Sequence, residues 1–137
     1  MRKYVLLAIA LAFAYLVHVR HEAVLPDASA PGNPIASERA GPRQVSGVGT
    51  VIRILSDDDT GDRHQRFLLR LQSGATLLVA HNIDIAPRVE PLREGDTIEY
   101  KGEFAWNPKG GVVHWTHHDP SGRHPGGWLR HDGRTFQ

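Results

Sequence analysis

The chain has 137 residues, 40% of them hydrophobic, with nine histidines, no cysteine and a formal net charge of +1. Without cysteine there can be no disulfide, zinc–thiolate site, cysteine nucleophile or lipid-bearing cysteine anchor. Five Lys/Arg and three Asp/Glu fall up to Arg43, and eleven and twelve after it, so the C-terminal part is near −1. It lacks the basic excess that a general nucleic-acid binder uses to neutralise phosphates, and nucleic acid is not an expected partner.

Met1-Arg2-Lys3 is followed by an unbroken apolar run, Tyr4 to Val17, closed by His18-Val19-Arg20-His21. A charged start before a short apolar stretch has the form of a secretion signal. The only Ala-x-Ala site, Ala28-Ser29-Ala30, lies far from the run and is followed by Pro31, so retention as an anchor over residues 1–21 is expected. The run is short against the about 20 residues that a bilayer core asks for, a shortfall that local thinning and snorkelling of Arg20 can cover. Arg2 and Lys3 favour an N-inside orientation, with the inner membrane as partner and the rest of the chain facing the periplasm or the outside. Cleavage would instead release the chain to the periplasm. Residues 22–43 hold four prolines, two glycines and few large apolar groups, and are expected to be a flexible tether.

From Gln44 to Gln137 the pattern becomes that of one small all-β domain. Expected strands run over Val45–Leu55, His64–Gln72, Ala75–Ile83, Thr97–Trp106 and Val112–His118. Gly47 and Gly49 suggest a bend or bulge in the first. Ser56–Arg63 is a loop whose aspartates lack the EF-hand pattern of glycine and distal glutamate. Ser73-Gly74 fits a tight hairpin turn. Asp84–Glu94, with two prolines, is a loop or short helical turn. After Asp119-Pro120 the chain is rich in glycine, histidine and arginine, with Trp128 and Phe136 as packing anchors. Phe67, Leu69, Leu71, Leu78, Ile98, Tyr100, Phe104, Val113 and Trp115 are the expected core, with Trp106 on the face of Ile98, Tyr100 and Phe104. Five strands with an irregular element between the third and fourth is the order of a five-stranded OB-fold-like barrel, here preceded by the anchor helix. A small open β-sandwich is the alternative.

Three dense polar motifs stand out: Arg63-His64-Gln65-Arg66-Phe67, His81-Asn82-Ile83-Asp84 with Ala86-Pro87-Arg88, and His114-Trp115-Thr116-His117-His118-Asp119-Pro120. In this order they resemble an uncharacterised bacterial family, domain of unknown function 3465, over about Val45 to Gln137. Such proteins are short and carry an N-terminal signal or anchor. The resemblance implies no activity.

If Gln72 pairs with Ala75, Arg66 faces His81 and His64 faces Ile83, which makes His64 and His81 diagonal neighbours roughly 7–8 Å apart. An OB barrel pairs strands three and five in parallel, so the resemblance implies that His64, Arg66, His81, His117, His118 and Asp119 lie near one rim. On a strand, His114 and His118 share a face about 13 Å apart, too far for one ion. Imidazoles with a carboxylate suit zinc first, then copper, nickel or iron, and give His64, His81, His117, His118 and Asp119 as metal ligands. Arg66, His114 and Asp84 are the candidates for holding a small, anionic ligand. Against both stands the plainer reading of scattered rim histidines that satisfy backbone groups. Aromatics that could stack bases, Phe67, Trp106, Trp115 and Trp128, are more often core. No zincin, nucleophile-elbow, phosphate-loop or dinucleotide motif occurs.

Three classes of function follow: a tethered extracytoplasmic binding module, a metal-dependent phosphodiester hydrolase using Arg66 and Asp119, and a docking domain of a membrane complex. Membrane retention can be checked at once. Fractionated cells should hold the protein in the membrane pellet with its N-terminus intact; a soluble product starting between Val19 and Pro31 would refute the anchor.

Overall fold

A computed structural model of the protein describes residues 41–137. The anchor over 1–21 and the tether as far as residue 40 lie outside the described residues. Seven strands follow one another: β1 Arg43–Ile54, β2 His64–Leu71, β3 Thr76–Asn82, β4 Thr97–Ala105, β5 Val112–His114, β6 Trp128–His131 and β7 Arg134–Phe136. Among the described residues no helix is long and apolar enough to cross a membrane.

Strands pair in the order β1-β2-β3-β5-β4, and β4 pairs back onto β1 to close a five-stranded barrel. The long first strand makes this possible. Its first part, Arg43 to Thr50, lies antiparallel to β4, and its later part, Gly49 to Ile54, antiparallel to β2. The register shifts between Val51 and Arg53, so the bend expected at Gly47 and Gly49 sits further on. The two glycines instead make room: a Cβ at Gly47 would lie 2.7 Å from Tyr100 Oη, and one at Gly49 2.9 Å from Leu69 Cβ. β3 and β5 are parallel, with Leu78 opposite Val112 and Val79 opposite Val113, as expected.

Alternation along the strands buries one face of each. Val51, Phe67, Leu69, Leu71, Leu77, Val79, Ile98, Tyr100, Phe104 and Val113 fill the barrel, joined by Val89 from the segment between β3 and β4. Most of the expected core is there, but Leu78 is not, and Leu77 takes its place. The cause is the β2–β3 turn. It has three residues, Gln72-Ser73-Gly74, with Leu71 N donating to Ala75 O at 2.9 Å and Gly74 N to Leu71 O at 2.9 Å. Gly74, at φ 83, supplies the left-handed residue that such loops need. The expected two-residue turn would have paired Leu69 with Leu78; the real one pairs Leu69 with Leu77, and a one-residue slip turns every side chain of β3 over.

Two further differences shape the end of the barrel. β5 stops at His114, because Trp115 adopts φ 51 and turns the chain out of the sheet. Trp115 is therefore half-buried rather than core, and Trp106, past the end of β4, is exposed. The C-terminal residues form a hairpin, β6–β7, that adds to β4 through Glu99–Arg130 and Tyr100–Leu129. Its turn is Asp132-Gly133 with φ 48 and 74, the two left-handed residues of a type I′ loop. Leu129 and Phe136 anchor it inside, whereas Trp128 is half-buried under the Arg130 guanidinium, 4.8 Å from its ring centroid.

Tyr100 Oη is buried with no hydrogen-bond partner among the described residues, while a Cβ on Gly102 would be driven into the carbonyl oxygen of His114. Tyr100→Phe should leave the unfolding free energy unchanged or raise it by up to about 1 kcal/mol, because it removes an unsatisfied hydroxyl. Gly102→Ala should lower it by about 1–3 kcal/mol, and Leu69→Ala by about 2–5 kcal/mol. Denaturant melts of the three variants check this; a large loss in Tyr100→Phe would mean that the hydroxyl has a partner.

Candidate functional site: a histidine-lined barrel rim

One end of the barrel gathers the start of β2, the end of β3, the chain from Ile83 to Val89 and the chain after β5. The slip in β3 decides what faces in. Gln65, not Arg66, lies opposite His81, so His81 points inward and His64, one residue along, belongs to the other face. The expected diagonal pairing of His64 and His81 on one face is therefore not formed.

His81 is fully buried and both ring nitrogens are engaged: Nε2 is 3.0 Å from Pro87 O, and Nδ1 is 2.8 Å from Thr116 Oγ1. A carbonyl only accepts, so Nε2 carries the proton, and the Thr116 hydroxyl donates to Nδ1. Burial pushes the His81 pKa down to about 4, against the pull of the Pro87 carbonyl and helped by the charges of His117 and His64. A ring so tied has no lone pair to offer a metal. Beside it Gln65 clasps Val89, donating from Nε2 to Val89 O at 3.1 Å and accepting from Val89 N at 2.9 Å.

The other polar residues of the first two motifs are also partnered. Arg63 Nε donates to Asp84 Oδ1 at 2.7 Å and Arg63 N to Oδ2 at 2.7 Å, which holds the Asp84 carboxyl below its usual range. Arg66 Nε donates to Ser56 O at 3.0 Å with Asp58 Oδ2 3.9 Å away, and Arg88 is paired with Asp57 and, at 3.5 Å, with Glu90. His64 Nδ1 lies 2.8 Å from Asp62 O, so Nδ1 donates and Nε2 has no partner among the described residues.

After β5 the left-handed Trp115 swings the chain across the rim. His117 is 3% exposed, its ring 6.3 Å from that of His81 and 5.3 Å from that of Trp115. Its Nδ1 donates to His118 O at 2.9 Å, and its Nε2 lone pair has no hydrogen-bond partner among the described residues. His118 is exposed. Asp119 is buried and its carboxylate accepts from Ser121 N, Ser121 Oγ, Arg123 N and His124 N, all within 2.9 Å, with Ser121 the chief cause of its lowered pKa. It closes a turn and has no free face for an ion. His114 points outward and its Nε2 lies 3.3 Å from Glu103 Oε1; burial lowers its pKa despite that carboxylate. The other oxygen, Oε2, is 2.9 Å from His124 Nε2, and the His124 ring stacks on Trp115 at 4.0 Å and 10°.

The three motifs do converge on one rim, yet mainly by engaging one another. Among the described residues no three His, Asp or Glu groups are placed to hold a metal ion between them. The five expected ligands therefore separate: His81 and Asp119 are filled, His118 is in solvent, and His64 and His117 each keep one outward lone pair. A model of the family described as protein of unknown function (DUF3465) matches residues 33–137. The chain belongs to this family. No curated protein matches it.

The motifs resembling DUF3465 proteins are thus the residues that tie the barrel end together in this member. Gln65 and Thr116, inside the motifs but not among the candidate site residues, belong to that network, as do Glu103 and His124, which lie outside the motifs. Their signal is weak, since a hydrogen bond between residues 35 apart, as for His81 and Thr116, leaves no local trace.

His81 gives a pH test. Its folded pKa lies below the about 6.5 of a free imidazole, so between about 6.5 and 4 the unfolded chain binds the proton first. Its contribution is complete above pH 6.5 and is lost as pH falls to about 4, on the order of 3 kcal/mol. In His81→Gln the loss of unfolding free energy from pH 7 to 4 should shrink by that order. NMR titration of His81 should show a midpoint near 4; one near 6.5 would contradict the burial of an uncharged ring.

Proposed function

We propose that this protein is a membrane-tethered, extracytoplasmic binding module whose barrel rim takes a divalent transition-metal ion on imidazole nitrogen. The tether reading is supported by Met1-Arg2-Lys3, the apolar run to Val17 and the poor cleavage site before Pro31. The pairing order β1-β2-β3-β5-β4-β1 supports an OB-type barrel, a scaffold that presents ligand sites on its open faces and loops.

The observation that carries the proposal is His117. His117 is 3% exposed as a residue, yet its Nε2 lone pair opens to the solvent with no partner among the described residues, while Nδ1–H is held by a backbone carbonyl. That bond to the His118 carbonyl fixes tautomer and ring orientation in the way that suits a metal ligand. His64 has the same arrangement, with Nδ1 held by Asp62 O and its charge near enough to act on His81. Such solvent-open acceptors can take a cation or a proton donor in place of water. An anion would need free donors, and Arg63, Arg66 and Arg88 are already engaged with carboxylates or carbonyls. The hydrolase reading is weakened in the same way, since Asp119 and Arg66 are engaged. An ion on one or two imidazoles would keep positions open to water or a second ligand.

Titrating zinc, copper and nickel into the purified full chain tests this. Binding in the micromolar range is expected for at least one metal at pH 7. It should weaken at pH 5, where protons compete for the same lone pairs. His117→Ala should weaken it at least about tenfold, or 1.4 kcal/mol, and His64→Ala should weaken it less. If all three metals bind more weakly than millimolar, or if His117→Ala binds as the wild type does, the metal reading fails.

A further inference from the structure

We propose that residues 118–126 form a proton-operated flap over the rim, latched by His124 to the Glu103 carboxylate while the Pro125 carbonyl holds the other nitrogen of the ring. The inference rests on the proposed binding role only for the significance of the adjoining His117; the latch itself stands on separate contacts.

The latch is defined by what its partners can do. His124 Nε2 is 2.9 Å from Glu103 Oε2, and Nδ1 is 3.0 Å from Pro125 O. A carboxylate and a carbonyl only accept, so both contacts can be hydrogen bonds only when the ring carries two protons. A neutral ring must give up one of them and leave a lone pair facing an oxygen. The flat stack on Trp115, 4.0 Å between centroids, adds to the preference, because an indole face attracts a cation. The titratable groups that act on His124 are Glu103 from β4, His114 from β5 and Asp119 from its own segment. Burial opposes the charge, but the Pro125 carbonyl, Glu103 and Asp119 outweigh it and raise the pKa. Glu103 also faces His114, whose pKa is lowered, so the shared carboxylate leaves the proton with His124.

The latch sits where it can hold the whole segment. The segment leaves β5 at the left-handed Trp115 and rejoins the sheet at Gly127, which packs against the carbonyls of Trp115 and Lys101. Inside it, Asp119 gathers the amides of Ser121, Arg123 and His124 into a rigid turn. Gly127 N donates to His117 O at 2.9 Å and His117 Nδ1 to His118 O at 2.9 Å, so both ends of the flap are tied to His117. Beyond those bonds and the Asp119 turn, the side-chain contacts that hold residues 118–126 in place among the described residues are the two made by His124, to Glu103 and to the Trp115 ring, and Gln44 Nε2 to Gly126 O at 3.3 Å. His124 makes no hydrogen bond or ring contact with His117 or His64 among the described residues. Loss of its proton therefore loosens the flap without changing either imidazole directly.

Amide hydrogen exchange on the full chain, with no metal added, tests the flap independently of any ligand. The protection factor of Gly127 should fall about tenfold between pH 6 and pH 9, while that of Phe67 in the barrel core stays constant. NMR should show the His124 midpoint above that of a free imidazole and displaced downward in Glu103→Gln. In His124→Gln the Gly127 protection factor should be low and independent of pH. Equal protection of Gly127 at both pH values in the wild type, or the wild-type pH profile retained in His124→Gln, would overturn the proposal. A His124 midpoint that does not move in Glu103→Gln would overturn it as well. Because no metal is present, these results stand apart from the titrations of the proposed binding site.

Discussion

Three residues between β2 and β3, Gln72-Ser73-Gly74, govern the chemistry at the far end of the barrel. The loop closes with Leu71 opposite Ala75, and from there each pair down the ladder is set, Leu69 with Leu77, Phe67 with Val79 and Gln65 with His81. A two-residue loop would have sent Leu78 and Ala80 inward and left His81 on the outer surface. With the register as it is, an imidazole stands inside the barrel mouth where an aliphatic side chain would serve the core as well. A buried polar ring without partners would cost a few kcal/mol, so its two nitrogens impose partners on the chain around it. Pro87 O comes from the segment after β3 and Thr116 from the segment after β5, and both segments are thereby drawn across the mouth. Gln65, the neighbour of His81 on β2, repeats the device by clasping both backbone groups of Val89.

How much of this is legible in the sequence follows from the range of each interaction. Strands with one buried face show themselves as alternation, and all five barrel strands are visible that way, as is the parallel meeting of β3 and β5 once the barrel is recognised. Turn length is the weak point. Ser73-Gly74 is compatible with both a two-residue turn and the end of a three-residue loop, and the choice flips a whole strand. The early end of β5 is hidden for another reason: a left-handed tryptophan is uncommon, and the β-branched Val112, Val113 and Thr116 argue for a longer strand. By contrast the C-terminal hairpin carries a readable turn signal, Asp132-Gly133, which the polar residues on either side and the abundance of glycine and histidine nearby obscure. Asp119 was legible as chemistry but not as role. Asp-Pro-Ser-Gly is as good a turn as it is a ligand donor, and its carboxylate is spent on backbone amides a few residues on.

The histidines show why a count of them says little about a site. Each ring has two nitrogens, and what faces them decides what the residue is. His81 meets an acceptor on one side and a hydroxyl that can donate on the other, so it rests uncharged and inert. His124 meets acceptors on both sides and is most stable as a cation. His64 and His117 meet one carbonyl each and keep a lone pair outward. His131 lies buried with Nε2 3.0 Å from Asp96 Oδ2, in the C-terminal hairpin and apart from the three motifs. One residue type thus supplies a structural tie, a ring held between two acceptors and two rings with an open lone pair within a single rim.

Gathering these roles in one place has a physical consequence. The rings lie close enough for their charges to act on one another: His117 and His64 lower the pKa of His81, and His124 and His64 lower that of His114. A cation arriving at any one of them disfavours protonation of the rest, and a proton at His124 does the same to His114. Ion pairing with Glu103 localises that proton on the outer wall of the barrel, one step removed from the lone pairs at the mouth. The Glu103 carboxylate thus stands between His114 and His124, whereas the Nε2 lone pairs of His64 and His117 have no carboxylate beside them among the described residues.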